Sequence, residues 1–262
     1  MQIRRILPSP QRQMIGPFIF MDQGGPATLP NLPDSGVAEH PHAGLSTFTY
    51  LLAGHGLHRD SAGHSAIIES GDIALMSAGS GITHEEGPDP NDGSATLQNY
   101  FVQMWLALPD EYEDMSPQFE LHKATALPLI STAGGQVRLL MGSAWGETAP
   151  TTCFVETVFA DIELPRHGIM NIESTCAERA IYVLEGDAAI DGVSVEQHTL
   201  VLLKAGGRPE ISSVEGGRAI LIGGEPFGSP RFIGGSFVAS SKEKLRLRSD
   251  QYKSGMFPSI KA

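Results

Sequence analysis

Two short motifs in the first half of the chain hold side chains that can bind a metal ion. His40 and His42 stand two residues apart directly before an apolar run, and His84 and Glu86 stand two residues apart further along the chain. Residues two apart on an extended strand project from the same face. If the strands that carry the motifs pair within one unit, three imidazoles and one carboxylate converge.

This set of ligands favours a transition metal at a catalytic site. Imidazole and carboxylate groups together suit Fe(II), Mn(II), Ni(II), Co(II), Cu(II) or Zn(II), and the ligand types do not choose among these metals. A metal that prefers six ligands would keep two positions open for water, a chelating substrate or dioxygen. A closed structural zinc site is instead tetrahedral and often rich in thiolates. We therefore predict one divalent transition metal with open coordination positions.

The remaining histidines are expected to be surface or core residues, which is the usual role of a single histidine. They are His55, His58, His64, His122, His167 and His198. His58 and Asp60 follow Gly54 in a turn-rich stretch, where a side-chain hydrogen bond within a turn is the common role. The alternative role for this pair is a hydrogen bond to a metal ligand.

The elements that must position the motifs occur twice in the sequence. Residues 47–54 align with 179–186, and residues 71–79 align with 198–206, about half the chain further on. Each copy has an apolar run rich in β-branched and aromatic residues, then a turn-rich stretch, then a second apolar run that ends at glycine. These are signals of strands joined by hairpins. We predict an all-β chain of two tandem β-barrels with little helix, since closed sheets leave few unpaired edges.

The same alignment predicts how the chain is divided and which half holds the metal. In the second copy the four ligand positions are occupied by isoleucine or serine, namely Ile172, Ser174, Ile211 and Ser213. We therefore predict an N-terminal metal-binding domain over residues 1–125 and a C-terminal domain over residues 126–262 that lacks the metal ligands.

Charge and hydropathy exclude some classes of partner. The formal net charge is −12, so the field of the protein repels phosphate backbones and direct binding to nucleic acid is not expected. Residues 1–10 lack the apolar run of a signal peptide, and no stretch approaches about 18 apolar residues, the length of a membrane span. These patterns predict a cytoplasmic protein that does not interact with membranes.

The motifs, taken together, resemble those of the pirin family, whose members are bicupins. The matching stretches are His40-Pro41-His42-Ala43-Gly44 with Thr49–Leu52, Gly71–Glu86, Gln103-Met104-Trp105, Gly16–Asp22 and Gly224-Glu225-Pro226. The resemblance implies two tandem cupin β-barrels. It also implies that His40, His42, His84 and Glu86 bind the metal, which in this family is usually iron.

Two functions follow from the resemblance. The family is similar to quercetin 2,3-dioxygenases, and several members have that activity, which implies a small flavonol-type aromatic substrate and dioxygen. In this interpretation Glu86 is also the general base that accepts the proton of the substrate hydroxyl. Eukaryotic members are nuclear, iron-dependent transcriptional cofactors, which implies instead a non-catalytic regulator that binds a protein partner. An enzyme needs a cavity that reaches the metal, whereas a binding module does not.

Some positions near the motifs bear on the pocket. Many pirins carry an acidic residue four positions after the second histidine, but Ser46 occupies that position here, so a carboxylate is missing. Gln103 lies on a predicted strand, where its amide could hydrogen-bond a metal ligand or the substrate. Phe18, Phe20 and Met21 are candidates for the pocket wall, although core packing is the commoner role of apolar residues.

Overall fold

The computed structural model describes residues 1–32 and 35–260, and most of these residues lie in antiparallel β-strands. The strands of the first half are β1 (Ile3–Leu7), β2 (Phe18–Pro30), β3 (Val37–His42), β4 (Leu45–Asp60), β5 (Ser65–Glu69), β6 (Ile73–Ser77), β7 (Ile82–Gly87), β8 (Thr96–Ala107) and β9 (Gln118–His122). A short 3-10 helix, Ala124–Ala126, follows β9.

The second half continues the same pattern. Its strands are β10 (Leu129–Thr132), β11 (Gly135–Ala144), β12 (Glu147–Thr148), β13 (Thr157–Leu164), β14 (Ile169–Asn171), β15 (Glu178–Gly186), β16 (Ala188–Ile190), β17 (Val193–Val195), β18 (Leu200–Leu202), β19 (Glu210–Ser212), β20 (Gly217–Gly224), β21 (Phe232–Gly234) and β22 (Phe237–Ala239). The α-helix α1 (Lys242–Lys253) follows β22. The prediction of an all-β chain with little helix is confirmed.

The chain forms two compact units whose limits differ from a simple division at the middle. One unit contains residues 1–13, 19–124 and the segment from Gly228 onward, and the other contains residues 14–18 and 125–227. The first of these is called unit 1 and the second unit 2. The division into independent domains at residues 125 and 126 stays a prediction, and the C-terminal segment belongs to unit 1.

Strand β4 organises unit 1 because it belongs to both of its layers. Its first part pairs with β8 and β6 in the sheet β1-β2-β8-β4-β6-β9. Its second part, from His55 to Asp60, pairs with β5 and β7, and β7 pairs with β3. The change of partners occurs near Gly54, whose φ of 96° suits a residue without a Cβ. The strand therefore continues past the glycine at which the sequence predicted a turn.

Unit 2 repeats this arrangement. The central strand β15 lies between β20 and β18, as β4 lies between β8 and β6. Residues 47–54 and 179–186, which the sequence aligns, lie on these two central strands. Ile172 and Ile211, at positions that align with His40 and His84, are fully buried in the apolar core of unit 2. The two units therefore share a strand topology. At two of the positions that align with candidate metal ligands, unit 2 has isoleucines that pack in its core.

The C-terminal segment holds the β3–β4 connection in place within unit 1. The backbone of Val238 donates a hydrogen bond to Ala43 O at 3.0 Å. Gly44 adopts a φ of 71°, and a Cβ there would collide with Val238 O, so only glycine fits this close approach. Helix α1 begins after Ser241, which caps it by accepting a hydrogen bond from Lys244 N. The histidines of β3 are thereby brought against residues nearly two hundred positions further on.

Candidate metal centre

Three neighbouring strands place the candidate ligands on one face. Strand β7 lies between β3 and the end of β4, and His84 on β7 is the direct cross-strand partner of His40 on one side and of Asp60 on the other. Glu86 is the partner of His58. Because direct cross-strand partners share a face and side chains two apart do too, the register gathers these groups on one side of the β3-β7-β4 layer.

The three predicted histidine ligands come together in the structure. The ring centroids of His40 and His84 are 4.3 Å apart, and the ring centroid of His42 lies 4.9 Å from each of these two. One ring nitrogen from each of the three lies within 4.8 Å of the others. The sequence prediction that the two motifs converge therefore agrees with the placement of these three rings.

Hydrogen bonds determine which ring nitrogen each histidine presents. His40 Nδ1 lies 2.9 Å from Ala38 O, and His42 Nδ1 lies 3.0 Å from Ser236 O. A carbonyl oxygen only accepts, so each Nδ1 carries the proton and each Nε2 keeps a lone pair. Among residues 1–32 and 35–260, His84 Nε2 is buried without a hydrogen-bond partner. An orphaned buried nitrogen beside two Nε2 lone pairs fits a divalent metal ion.

Burial keeps two of these rings neutral. Desolvation, followed by the proximity of His40, lowers the pKa of His42 to about 3, against a small opposing effect of the hydrogen bond to Ser236. The pKa of His84 is held well below its usual value by burial first and by the neighbouring histidines second. Neutral imidazole is the form that binds metals, so this environment prepares the rings for an ion.

Glu86 stands slightly apart from the histidine cluster. A carboxylate oxygen of Glu86 and one ring nitrogen each of His58 and His84 all lie within 4.8 Å of one another. The corresponding group that contains His40 and His42 does not include Glu86. Thr49 Oγ1 lies 3.2 Å from Glu86 Oε1. Unlike His42 and His84, Glu86 is only partly buried. Glu86 is therefore more accessible to solvent than His42 and His84, and its carboxylate stands next to His84.

A cleft of about 420 Å³ in unit 1 reaches this carboxylate. Its polar lining includes the hydrogen-bonded side chains of Thr49, Glu86 and Gln103. Its walls are largely apolar and include Leu51, Leu57, Ile68 and Phe101, with the exposed side chains of Met1 and Ile3 also contributing. A largely apolar cleft with a few convergent polar groups is typical of small-molecule sites, and its size is in the usual range of about 300–1,000 Å³.

The predicted pocket residues have different locations. Gln103 lines the cleft, as proposed from its position on a strand. Phe20 instead stacks on Trp105 with ring centroids 4.2 Å apart, and Trp105 contacts the edge of His42. Phe18 and Met21 are fully buried and do not line the cleft. Phe18 belongs to unit 2, where it packs against Phe159, so its role is core packing.

Ser46 occupies a buried polar position, with its hydroxyl 2.8 Å from that of Ser77. This bond gives each of the two buried hydroxyls a hydrogen-bond partner inside the sheet. A carboxylate that accepts a proton must therefore stand at a position other than 46, and Glu86 is the carboxylate that lines the cleft.

Sequence reasoning gave too little weight to His58 and Asp60. Both are buried on strand β4, and His58 Nδ1 lies 3.5 Å from His84 Nδ1. Burial would raise the pKa of Asp60, but hydrogen bonds from His58 and His64 outweigh it and lower that pKa. The expected turn hydrogen bonds also exist, because Asp60 Oδ1 accepts from Ala62 N and His64 N. The spacing of His58 and Asp60, two apart like the metal motifs, was the available signal.

Comparison with known proteins identifies the family. The sequence profile described as Pirin matches residues 1–106, and that described as Pirin C-terminal cupin domain matches residues 159–258. The chain belongs to the pirin family. The two matches also confirm two cupin-type domains in one chain.

The relatives of this pirin cover nearly its whole length. It is 35% identical to a pirin-like protein of Caulobacter vibrioides over 97% of this chain and 88% of the relative. It is 27% identical to Pirin-1 of Arabidopsis thaliana over 92% of this chain and 83% of that protein. The crystal structure of quercetin 2,3-dioxygenase from Acinetobacter baumannii matches with a TM-score of 0.90 and 33% identity, covering 98% of this chain and 86% of that one.

Within residues 1–32 and 35–260, no helix has both the length and the apolar character needed to cross a membrane.

Proposed function

We propose that this pirin is a metal-dependent dioxygenase that cleaves flavonol-type aromatic compounds. The observation that carries the proposal is the cleft that reaches Glu86 beside the three-histidine cluster. A regulator that only binds a partner has no need for such a cavity, whereas a catalytic metal needs access for its substrate. The similarity to quercetin 2,3-dioxygenase from Acinetobacter baumannii supports the same chemistry.

His40, His42 and His84 would hold the ion, with Glu86 as a fourth ligand. The family resemblance favours Fe(II), and the same donors suit Mn(II), Ni(II), Co(II), Cu(II) or Zn(II). When bound, the ion supplies a Lewis acid and a template for the substrate hydroxyl and for dioxygen.

The side chains of the cleft carry out the remaining work. The apolar walls bind the flat aromatic rings and exclude water, which orients the hydroxyl of the substrate toward Glu86. Glu86 Oε1 or Oε2 accepts the proton of that hydroxyl, leaving a phenolate-like oxygen and a neutral carboxyl group. Thr49 holds Glu86 during this transfer, and Gln103 holds Thr49. Both atoms of dioxygen would then add to carbons of the electron-rich ring as the O–O bond breaks. The two carbon–carbon bonds at the hydroxyl-bearing carbon break, that carbon leaves as carbon monoxide, and Glu86 returns its proton to the opened product, so no further reductant is needed.

The test is anaerobic reconstitution of the whole protein with each divalent metal in turn. Oxygen uptake and loss of quercetin absorbance are then measured for the wild type, His42→Ala and His122→Ala. His122 is the matched control, because its ring pairs with Glu120 on β9 and takes no part in the metal cluster. Metal-dependent turnover that is lost only in His42→Ala is expected. Tight metal binding without turnover would overturn the dioxygenase and favour a regulator.

A further inference from the structure

We infer that Asp60 and His58 form a positioning dyad that orients the ring of His84 so that its Nε2 faces the metal. The inference rests on the proposed metal centre and adds two residues to it. The dyad does not touch the substrate, so its members are positioning residues and not catalytic ones.

Four donor groups surround the carboxylate of Asp60. Its side chain is fully buried, yet all four hydrogen-bond to it, and His64 Nδ1 contacts both of its oxygens. Oδ1 accepts from the backbones of Ala62 and His64, while Oδ2 lies 3.2 Å from His58 Nε2 and 2.9 Å from His64 Nδ1. Donors on both oxygens fix the carboxylate and stabilise its charged form.

Asp60 and Phe119 fix the tautomer and the plane of the His58 ring. An ionised carboxylate only accepts, so His58 Nε2 carries the proton and, in the neutral ring, Nδ1 keeps a lone pair. The ring also stacks on Phe119, with centroids 4.5 Å apart and planes 14° apart. His58 is therefore held by a hydrogen bond at one edge and by a stacked ring on its face, and its lone pair has a defined direction.

His58 in turn orients the ring of His84. His58 Nδ1 lies 3.5 Å from His84 Nδ1, and because His58 Nδ1 keeps a lone pair, His84 Nδ1 carries the proton that points at His58. The other nitrogen, His84 Nε2, then keeps its lone pair, and among the described residues it has no hydrogen-bond partner. A hydrogen bond on the far side of a ligating imidazole fixes its orientation and raises its basicity.

The other two rings are fixed differently. His40 and His42 each donate from Nδ1 to a backbone carbonyl, of Ala38 and Ser236 respectively. Of the three rings, His84 is the one whose Nδ1 bonds to a side chain. A mutation of that side chain can therefore change the orientation of His84.

The experiment uses the whole protein and Co(II) as the probe. Dissociation constants are measured by competition with a chelator for the wild type, His58→Phe, His58→Gln and His122→Gln. Phenylalanine can keep the stacking on Phe119 but offers no acceptor to His84. Glutamine offers an oxygen to His84 and an amide N–H to Asp60. His122→Gln is the matched control at another histidine–carboxylate pair.

We expect Co(II) affinity to fall about 10- to 100-fold in His58→Phe and to stay within about threefold of wild type in His58→Gln and His122→Gln. The metal-free variants should all unfold cooperatively, His58→Phe at a somewhat lower temperature because the buried Asp60 loses one donor, and cooperative unfolding separates a loss of orientation from a loss of folding. In the metal-free wild type, ¹⁵N spectra should show His84 protonated at Nδ1, and in His58→Phe a mixture of tautomers.

Each contrary result has a distinct meaning. Wild-type affinity in His58→Phe would overturn the dyad. Equal losses of Co(II) affinity in His58→Phe and His58→Gln, with a changed Co(II) absorption band in both, would also overturn the dyad. They would show that His58 is itself a metal ligand, which is compatible with its position next to His84 and Glu86. Failure of the wild type to bind Co(II) would overturn the metal centre itself, and the dyad with it.

Discussion

Thr49 donates a hydrogen bond to Glu86, its Oγ1 lying 3.2 Å from Glu86 Oε1. Gln103 Oε1 lies 2.8 Å from the same hydroxyl. A hydroxyl has one proton, so Thr49 shares it between two acceptors, Glu86 Oε1 and Gln103 Oε1. The three side chains form a hydrogen-bonded chain with Thr49 in the middle, and all three line the cleft.

Removing the middle of this chain should leave the carboxylate of Glu86 less well positioned to accept the proton. Thr49→Val keeps the shape of the side chain but leaves Glu86 without its donor. We expect kcat/KM for quercetin to fall roughly tenfold, the effect of about 1.4 kcal/mol expected for a hydrogen bond to a charged group. Metal content should not change, and Thr49→Ser should retain most of the activity. Steady-state kinetics of the reconstituted variants provide the measurement, and full activity in Thr49→Val would contradict the role of Thr49.

Filling the cleft should exclude the substrate without disturbing the metal. Ala53 lines the cleft and does not belong to the histidine cluster. A phenylalanine at this position occupies space that the aromatic rings need, so we expect kcat/KM for quercetin to fall at least about tenfold. The affinity for Co(II) should stay unchanged. Ala177→Phe, at an exposed position of unit 2, is the control. Normal turnover by Ala53→Phe would place the substrate elsewhere.

Metal binding should stabilise the folded protein. An ion that binds only the native state adds about 4 kcal/mol at a thousandfold excess over its dissociation constant. The unfolding temperature should therefore be clearly higher with Co(II) than with a chelator, both in the wild type and in His122→Ala. The difference should vanish in His42→Ala, which lacks one of the three converging imidazoles. A chelator effect that persists in His42→Ala would show that the metal binds somewhere else.

The stability of unit 2 should depend on pH through Asp187. Hydrogen bonds from the backbones of Val214 and Glu215 lower its pKa below the usual 3.8. The unfolded state therefore binds the proton first, so the stabilisation is present above pH 3.8 and is lost as the pH falls through the lower folded value.

Urea unfolding at pH 6 and near pH 3 tests this dependence. Asp187→Ala should be less stable than wild type at pH 6, and the difference should shrink in acid as the wild type loses the interaction. Glu196→Ala, at an exposed carboxylate of the same unit, should change stability little at either pH. A difference between Asp187→Ala and wild type that is constant with pH would contradict the role of the charge.

The candidate ligand motifs and the repeat are visible in the amino-acid sequence alone. Side chains alternate along a strand with a fixed period, so the spacings of His40 with His42 and of His84 with Glu86 place each pair on one face without knowledge of the fold. The apolar runs of the repeat likewise predicted strands β4 and β15, because burial of such runs is a local requirement.

The residues that surround these motifs are known only from the fold. The path of β4 past Gly54 brings His58 and Asp60 beside His84, and the C-terminal segment brings Ser236 O to His42. These contacts join residues far apart in the chain, and their pairing depends on strand register and not on local spacing. The separation of Phe18 from the cleft has the same cause, because the unit in which an apolar side chain is buried depends on the whole chain.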